Sequence, residues 1–357
     1  MTLLAEFETY TDFRRSFDEA MAEFFAQQHQ RAASFDEGYR RLWLALESVS
    51  NGGKRIRPVL VNEAFRALGG TSLKTAVSVG LAFELMHTAF VIHDDIIDGD
   101  TVRRGQPNVV GQFLAHATAE GLDEVTARHW AESSALIGGD LLLTLAQRML
   151  LAAQVDPAAL RLLVDLFDEA VFVTAAGEQA DVTYSWTSPA DLTLDRVLSM
   201  TEHKTAVYSF GAPLMAGAVA AGAAESTVHA LGEYGRLLGI AFQLRDDYLG
   251  VFGDSTMTGK SVVSDLREGK ATPLVVFART TEAWPRLKSI HGSADLSHEQ
   301  IADALVLLDE CGARAFLEGL IAEYTERAEA LSSDPRLPSE LGQRLRAVMR
   351  TLAARER

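Results

Sequence analysis

ELMHTAFVIHDDIIDGDTVRRGQPN, residues 84–108, runs from an apolar stretch straight into charge. Four aspartates, at 94, 95, 98 and 100, fall within seven residues, and two adjacent arginines follow. Leu81, Leu85 and Thr88 recur at helical spacing, which predicts a helix whose charged end begins near Asp94. On such a helix Asp94 and Asp98 lie one turn apart on the same face, while Asp95 points about 100° away, in a supporting position. An acidic pair at this spacing is mildly destabilising without a counterion, and a helix C-terminus already carries partial negative charge. Acids placed there predict a bound cation. Mg2+ fits, because it prefers one or two carboxylates completed by phosphate oxygens and water. The chain has no compact Cys/His set at zinc-like spacing.

A second stretch, FQLRDDYLGVFGD (242–254), repeats the pattern of an apolar helix entering paired aspartates at what reads as another helix C-terminus. Taken singly, either pair reads as solvated caps. Two such pairs favour metal binding, with Asp246 expected to join the site from an opposite wall. Lys54, Arg55, Arg57, Arg103 and Arg104 all sit beside glycine-rich breaks. Acids for Mg2+ together with loop-borne Lys and Arg point to a polyphosphate ligand. GDSTMTGKS (253–261) is not a P-loop, because five residues rather than four separate its glycines and a helix-like segment precedes it.

The rest of the chain bounds the answer. With 357 residues, 48% of them hydrophobic, it can bury a large core. A net charge of −16 disfavours nucleic acid as a partner. The single cysteine, Cys311, fits a reducing compartment, and the N-terminal residues do not read as a signal peptide; a cytoplasmic protein is expected. Residues 205–224 lack charge but are rich in Ala and Gly, with Pro213 inside, so they read as a core helix rather than a membrane span. Leu42, Leu46 and Val49 also recur at helical spacing. Asp156-Pro157 and Ser188-Pro189 read as helix starts. No linker divides the chain, so one all-α domain over residues 1–357 is expected, a bundle of roughly ten or more helices around a central apolar cavity.

These motifs together resemble the trans-isoprenyl diphosphate synthases, the family of farnesyl and geranylgeranyl diphosphate synthases. GGKRIRP (52–58), the 84–98 stretch with VRRG (102–105), GGDLLLTLA (138–146), GEQADV (177–182), HKTAVY (203–208), QLRDDYLGVFGD (243–254) and TGKSVVSDLREGKATP (258–273) stand in family order. The resemblance implies that Lys54, Arg57, His87 and Arg104 bind isopentenyl diphosphate. It gives Arg103, Lys204, Thr205, Gln243, Lys260 and Lys270 to the allylic diphosphate. It gives Asp94, Asp98 and Asp246 to a cluster of Mg2+ ions, with Asp95 and Asp247 behind them. His87 stands seven residues before Asp94, on the same helical face, which favours a ligand role over core packing. A homodimer is implied as well.

Two departures stand out. Gly250 occupies a position where the family commonly has a third aspartate, with Asp254 a partial substitute, and Glu178 stands where many relatives have glutamine. Product length in the family depends on side chains just upstream of Asp94. Phe90 lies about 6 Å below Asp94 along a helix axis, where its ring can limit the shaft, and Met86 lies a further turn down. Small Ala89 implies a deeper pocket than the aromatic pair of many farnesyl-producing relatives. Geranylgeranyl diphosphate is therefore the expected product, with farnesyl diphosphate next. A terpene cyclase would lack the GGKRIRP and VRRG sites, and a non-catalytic regulatory subunit would usually lack the aspartates at 94–98.

Overall fold

The computed structural model describes residues 8–187, 189, 191–253, 264–293 and 296–353. Among them the chain is helical almost throughout, as the periodicity predicts. It forms two units, Met1–Phe167 with Pro213–Val228 and Asp168–Ala212 with His229–Arg357.

The apolar run before Asp94 is α4 (Leu73–Ile97), and it anchors the first unit. It packs against α1 (Glu8–Ala32), α3 (Ile56–Ala67) and α6 (Glu124–Leu151), with α2 (Glu37–Ser50) and α5 (Val109–Ala119) alongside. Buried side chains surround α4 on most sides, Phe83, Leu85 and Met86 among the most deeply packed, so it behaves as a core helix rather than a surface one. Ser72 starts it by accepting a hydrogen bond from the Thr75 amide. Its end is closed by a Schellman motif. The Asp100 amide donates to the Asp95 carbonyl at 2.8 Å and the Gly99 amide to Ile96 at 3.3 Å, with Gly99 at φ 72°. α4 and α6 are also long and apolar enough to cross a membrane; 78% of the most apolar window of α4 is buried inside the protein, against 44% for α6.

A two-residue antiparallel ladder follows α4, β1 (Val102–Arg103) pairing with β2 (Gln106–Pro107). Its central residues, Arg104 and Gly105, both have positive φ, 53° and 72°, the geometry of a type I′ turn. Asn108 ties the base down, donating to the Asp100 carbonyl and accepting from the Gly111 amide.

Beyond α7 (Pro157–Thr187), α8 (Leu194–Thr201) leads into a π-helical segment, Glu202–Gly211, and then α9 (Ala212–Ala220). From Pro213 on, α9 belongs to the first unit; the second holds the π segment, α8, α10 from residue 229 on (α10 as a whole is Glu225–Phe252), α11 (Ser264–Arg267), α12 (Pro273–Ala278), α13 (Trp284–Leu287), α14 (His298–Glu310), α15 (Ala313–Leu331) and α16 (Ser339–Ala353). Its core gathers Ile240, Leu244 and Val251 of α10 with Leu274, Leu308 and Leu317. Tyr234, fully buried, donates to the Leu345 carbonyl at 2.9 Å.

Three expectations need correction. Pro157 does begin a helix, with Asp156 accepting from the amides of Ala158 and Ala159. Pro189 does not. The next helix starts at Leu194, where Thr193 supplies the cap that Pro189 cannot, and Ser188 lies outside the described residues. Residues 205–224 are not one α-helix, since the π segment occupies their first part. The wider coil is approached closely by two glycines of neighbouring helices. A Cβ on Gly239 would lie 2.5 Å from Ala206 Cα, and one on Gly177 would lie 2.6 Å from Lys204 Cα. Lastly, α10 runs on to Phe252, so Asp246 and Asp247 sit inside its last turns rather than at its end.

Candidate active site

At the end of α4 the acidic cluster divides as the helical geometry predicts. Asp95 is buried, 3% exposed, and faces inward, while Asp94 and Asp98 remain half-buried. Arg103 reaches back from the hairpin to clamp both neighbours. Its Nε donates to Asp95 Oδ1 at 2.7 Å and its Nη2 to Asp94 Oδ2 at 3.0 Å. Burial pushes the Asp95 carboxyl up to about 6 even against the pull of Arg103. Asp95 therefore serves as the fixed anchor of the clamp. Asp94 is the more accessible partner, and the same guanidinium that neutralises it is the group expected to meet an allylic diphosphate.

A basic cluster stands in the same unit. The only non-glycine residues with positive φ among those described are arginines, Arg55 at 52° and Arg104 at 53°. Such backbone costs on the order of 1–3 kcal/mol and concentrates at functional sites. The two loops also approach each other: a Cβ on Gly53 would lie 3.0 Å from Arg104 Nη1, and Gly53 itself sits at φ 80°, a backbone region that favours glycine. Arg57 lies in the first turn of α3, and Lys54 is exposed on the loop before it. His87 keeps some accessible surface, yet burial of most of its ring, then the charges of Arg57, Arg104, Arg103 and Arg55, hold it well below the usual imidazole range. It is neutral at pH 7 and able to offer one N–H. Lys54, Arg57, His87 and Arg104 thus share one unit with Asp94, Asp98 and Arg103.

One partner here escaped the sequence reading. Glu84, one turn before His87, accepts from Arg55 Nη1 at 2.9 Å, and both side chains are almost wholly buried. The Arg55 guanidinium also lies over the Phe17 ring, 5.5 Å from its centroid. Helical position alone gives Glu84 a buried face, which was the available signal.

The second unit carries the remaining residues. Lys204 and Thr205 lie on the π segment. Lys204 Nζ meets Glu178 Oε2 at 3.0 Å and Asp181 Oδ2 at 2.6 Å, both on α7. Thr205 Oγ1 donates to Gln243 Oε1 at 3.1 Å, and Gln243 Nε2 donates to Asp247 Oδ1 at 2.9 Å. Asp247 is buried, 8% exposed, and Asp246 next to it is half-buried. Lys270 pairs with Glu268 at 2.8 Å. Lys260 and Asp254 lie outside the described residues. Asp181, unnamed in the sequence reading beyond its motif, turns out to be the shorter contact of Lys204.

Gly177 decides where Lys204 stands. A Cβ there would fall on the backbone of His203 and Lys204, 2.6 Å from Lys204 Cα. Gly177→Ala is expected to destabilise by about 1–3 kcal/mol through overpacking, more than the ~1 kcal/mol of helix propensity that alanine adds. A lowered melting temperature together with a raised KM for the allylic substrate alone would bear this out. An unchanged melt would mean that the π segment yields.

Among the described residues no three His, Cys, Asp or Glu side chains converge to hold a metal unaided. The donors at the end of α4 are nevertheless all hard oxygens. Two half-buried carboxylates one turn apart suit an ion whose other ligands are water and phosphate oxygens.

An all-α fold with an acidic helix end clamped by arginine, beside an arginine-rich cradle, defines a helical-bundle protein built for anionic ligands. Residues 43–308 match the family model described as polyprenyl synthetase, and the chain belongs to that family. It is 32% identical to a geranylgeranyl diphosphate synthase of Methanosarcina mazei over 79% of each chain. It is 36% identical to a (2E,6E)-farnesyl diphosphate synthase of Mycobacterium tuberculosis, over 74% of this chain and 68% of that one. Among solved structures, the geranylgeranyl pyrophosphate synthase of Corynebacterium glutamicum, complexed with isoprenyl diphosphate and magnesium, superposes with a TM-score of 0.89 at 31% identity, covering 96% of this chain and 98% of that one.

Proposed function

We propose that this chain is a Mg2+-dependent prenyltransferase that joins isopentenyl diphosphate head-to-tail to an allylic diphosphate, with geranylgeranyl diphosphate as product. The observation that carries the reading is the arginine clamp at the end of α4 beside the His87 cluster, which puts acids for a metal and cations for phosphate in one unit.

Lys54, Arg57, His87 and Arg104 hold isopentenyl diphosphate, the neutral imidazole donating one hydrogen bond. Arg103, Lys204, Thr205, Gln243, Lys260 and Lys270 hold the allylic diphosphate. Asp94, Asp98 and Asp246 bind a cluster of Mg2+ ions, supported by Asp95 and Asp247. Bound Mg2+ supplies charge neutralisation to the departing diphosphate. The lysines and arginines stabilise the same growing negative charge through preorganised hydrogen bonds. Loss of diphosphate leaves an allylic carbocation, which the double bond of isopentenyl diphosphate attacks; a proton then leaves to the released diphosphate. Holding the two substrates side by side supplies much of the rate. The apolar shaft of α4 keeps water from the cation.

Ala89 and Met86 are fully buried in α4, and Phe90 is half-buried one turn before Asp94. A small residue at 89 leaves length for four isoprene units. Incubating the protein with Mg2+, isopentenyl diphosphate and, separately, the dimethylallyl, geranyl and farnesyl diphosphates tests this, with the products dephosphorylated and sized. Geranylgeraniol is the expected end point. Stopping at farnesol makes Phe90 the floor and farnesyl diphosphate the product. No elongation from any primer by folded protein removes the prenyltransferase reading in favour of a cyclase or a regulatory subunit.

The protein acts as a homodimer in the cytoplasm. Leu136 and Ile137 on α6, each about half exposed, offer an apolar face suited to a second copy. The burial of α4 supports a protein without a membrane span.

A further inference from the structure

Lys204 faces two carboxylates, and the three side chains sum to a net charge of −1. Asp181 is the tighter partner at 2.6 Å and the more buried, its side chain 11% exposed. Glu178 stands farther off, at 3.0 and 3.1 Å through its two oxygens, and its side chain is 22% exposed. A lysine that must meet a diphosphate needs one anchor to hold its direction, and Asp181 supplies that. A second carboxylate on the accessible side adds repulsion against an incoming anion and occupies donor hydrogens the anion requires.

We infer that Glu178 is a positioning residue that weakens allylic diphosphate binding by competing for the Lys204 ammonium, so that the diphosphate must displace its carboxylate to bind. The inference rests on the proposed prenyltransferase reading for its substrate, but the contest between Glu178 and a diphosphate for Lys204 does not depend on catalysis. Gly177 immediately before Glu178 fixes the geometry, because it lets α7 lie directly against the Lys204 backbone. Glu178 therefore cannot withdraw from Lys204 by a shift of its helix and yields only by a change of rotamer.

The test measures binding of inorganic pyrophosphate with Mg2+ by calorimetry, alongside steady-state kinetics. Glu178→Gln is expected to tighten pyrophosphate and to lower the allylic KM by about tenfold, equivalent to ~1.4 kcal/mol. The change should reside in KM rather than kcat, with the KM for isopentenyl diphosphate and the Mg2+ half-saturation unmoved. Glu178→Asp keeps the charge and should behave like the parent. On a Lys204→Met background, Glu178→Gln should change nothing. Unchanged pyrophosphate affinity in Glu178→Gln overturns the inference and leaves Glu178 a structural anchor. Weaker affinity, or a higher Mg2+ requirement, overturns it in favour of Glu178 as a ligand. An equal gain on the Lys204→Met background also overturns it, since the effect would then be general charge repulsion. Absence of elongation in the parent protein removes the prenyltransferase reading, while the pyrophosphate titration still decides the role of Glu178.

Discussion

Replacing Asp94 with alanine is expected to abolish Mg2+-dependent turnover while the fold survives. Asp94 presents a half-buried carboxylate one turn from Asp98, at the mouth of an apolar helix, and its present neutraliser is the guanidinium of Arg103 at 3.0 Å. Removing it deletes a proposed metal ligand and leaves Arg103 to Asp95, which it already reaches at 2.6 Å. Charge stabilisation of a leaving group by metal amounts to several kcal/mol, so a loss of about 4 kcal/mol lowers kcat by roughly a thousandfold. The Schellman closure of α4 uses backbone groups only, and Asp95 stays paired, so the melting temperature should move by no more than a degree or two. Turnover measured across a Mg2+ titration, with near-ultraviolet circular dichroism on the same sample, checks both halves. Turnover within tenfold of the parent would remove Asp94 from the metal site. Asp94→Asn separates charge from shape, and it should fall nearly as far, because a neutral amide is a poor ligand for a hard divalent ion.

The contrast between Asp94 and Asp95 was legible in the sequence because it depends only on helical periodicity: residues one apart on a helix point about 100° away from each other. The same holds for α2 and for the start of α7 at Pro157, where local chemistry is sufficient. The π segment was not legible. Its hydrogen-bond register depends on Gly177 and Gly239, which approach it from distant parts of the chain, and no local pattern announces that. Pro189 misled for a related reason. Proline suits a helix start, but a cap was also needed, and Thr193 provides one further along. The motif positions of the site came through resemblance, whereas the partners that hold them did not. Asp181 meets Lys204 across 23 residues and Glu84 meets Arg55 across 29, separations at which sequence spacing carries no signal.

The second large effect concerns that last pair. Glu84→Ala is expected to destabilise the protein by about 3–5 kcal/mol, the usual cost of leaving one member of a buried ion pair uncompensated. The side chains of Arg55 and Glu84 are 5% and 7% exposed and lie 2.9 Å apart. Asp18 also approaches Arg55, at 3.9 Å and half exposed, a weak replacement. A fall in melting temperature of about 4–7 °C should follow. Function should suffer selectively. Arg55 lies between Lys54 and Arg57 with its backbone held at φ 52°, and Glu84 is what fixes that turn from α4, one helical turn from His87. Loosening it is expected to raise the KM for isopentenyl diphosphate and leave the allylic KM alone, because Lys204, Thr205 and Gln243 are tied to α7 and α10 instead. The companion experiment replaces both partners, Glu84→Met with Arg55→Met. Apolar side chains of similar volume often match or exceed a buried ion pair in stability, so the double variant should recover most of the melting temperature lost by Glu84→Ala. It should not recover isopentenyl affinity, since the turn has then lost its tether. A double variant as unstable as the single one would show that Arg55 is needed for packing in its own right, through its stack on Phe17. A Glu84→Ala protein that melts like the parent would mean that the pair contributes nothing net, and that the strained turn at Arg55 is held by the backbone alone.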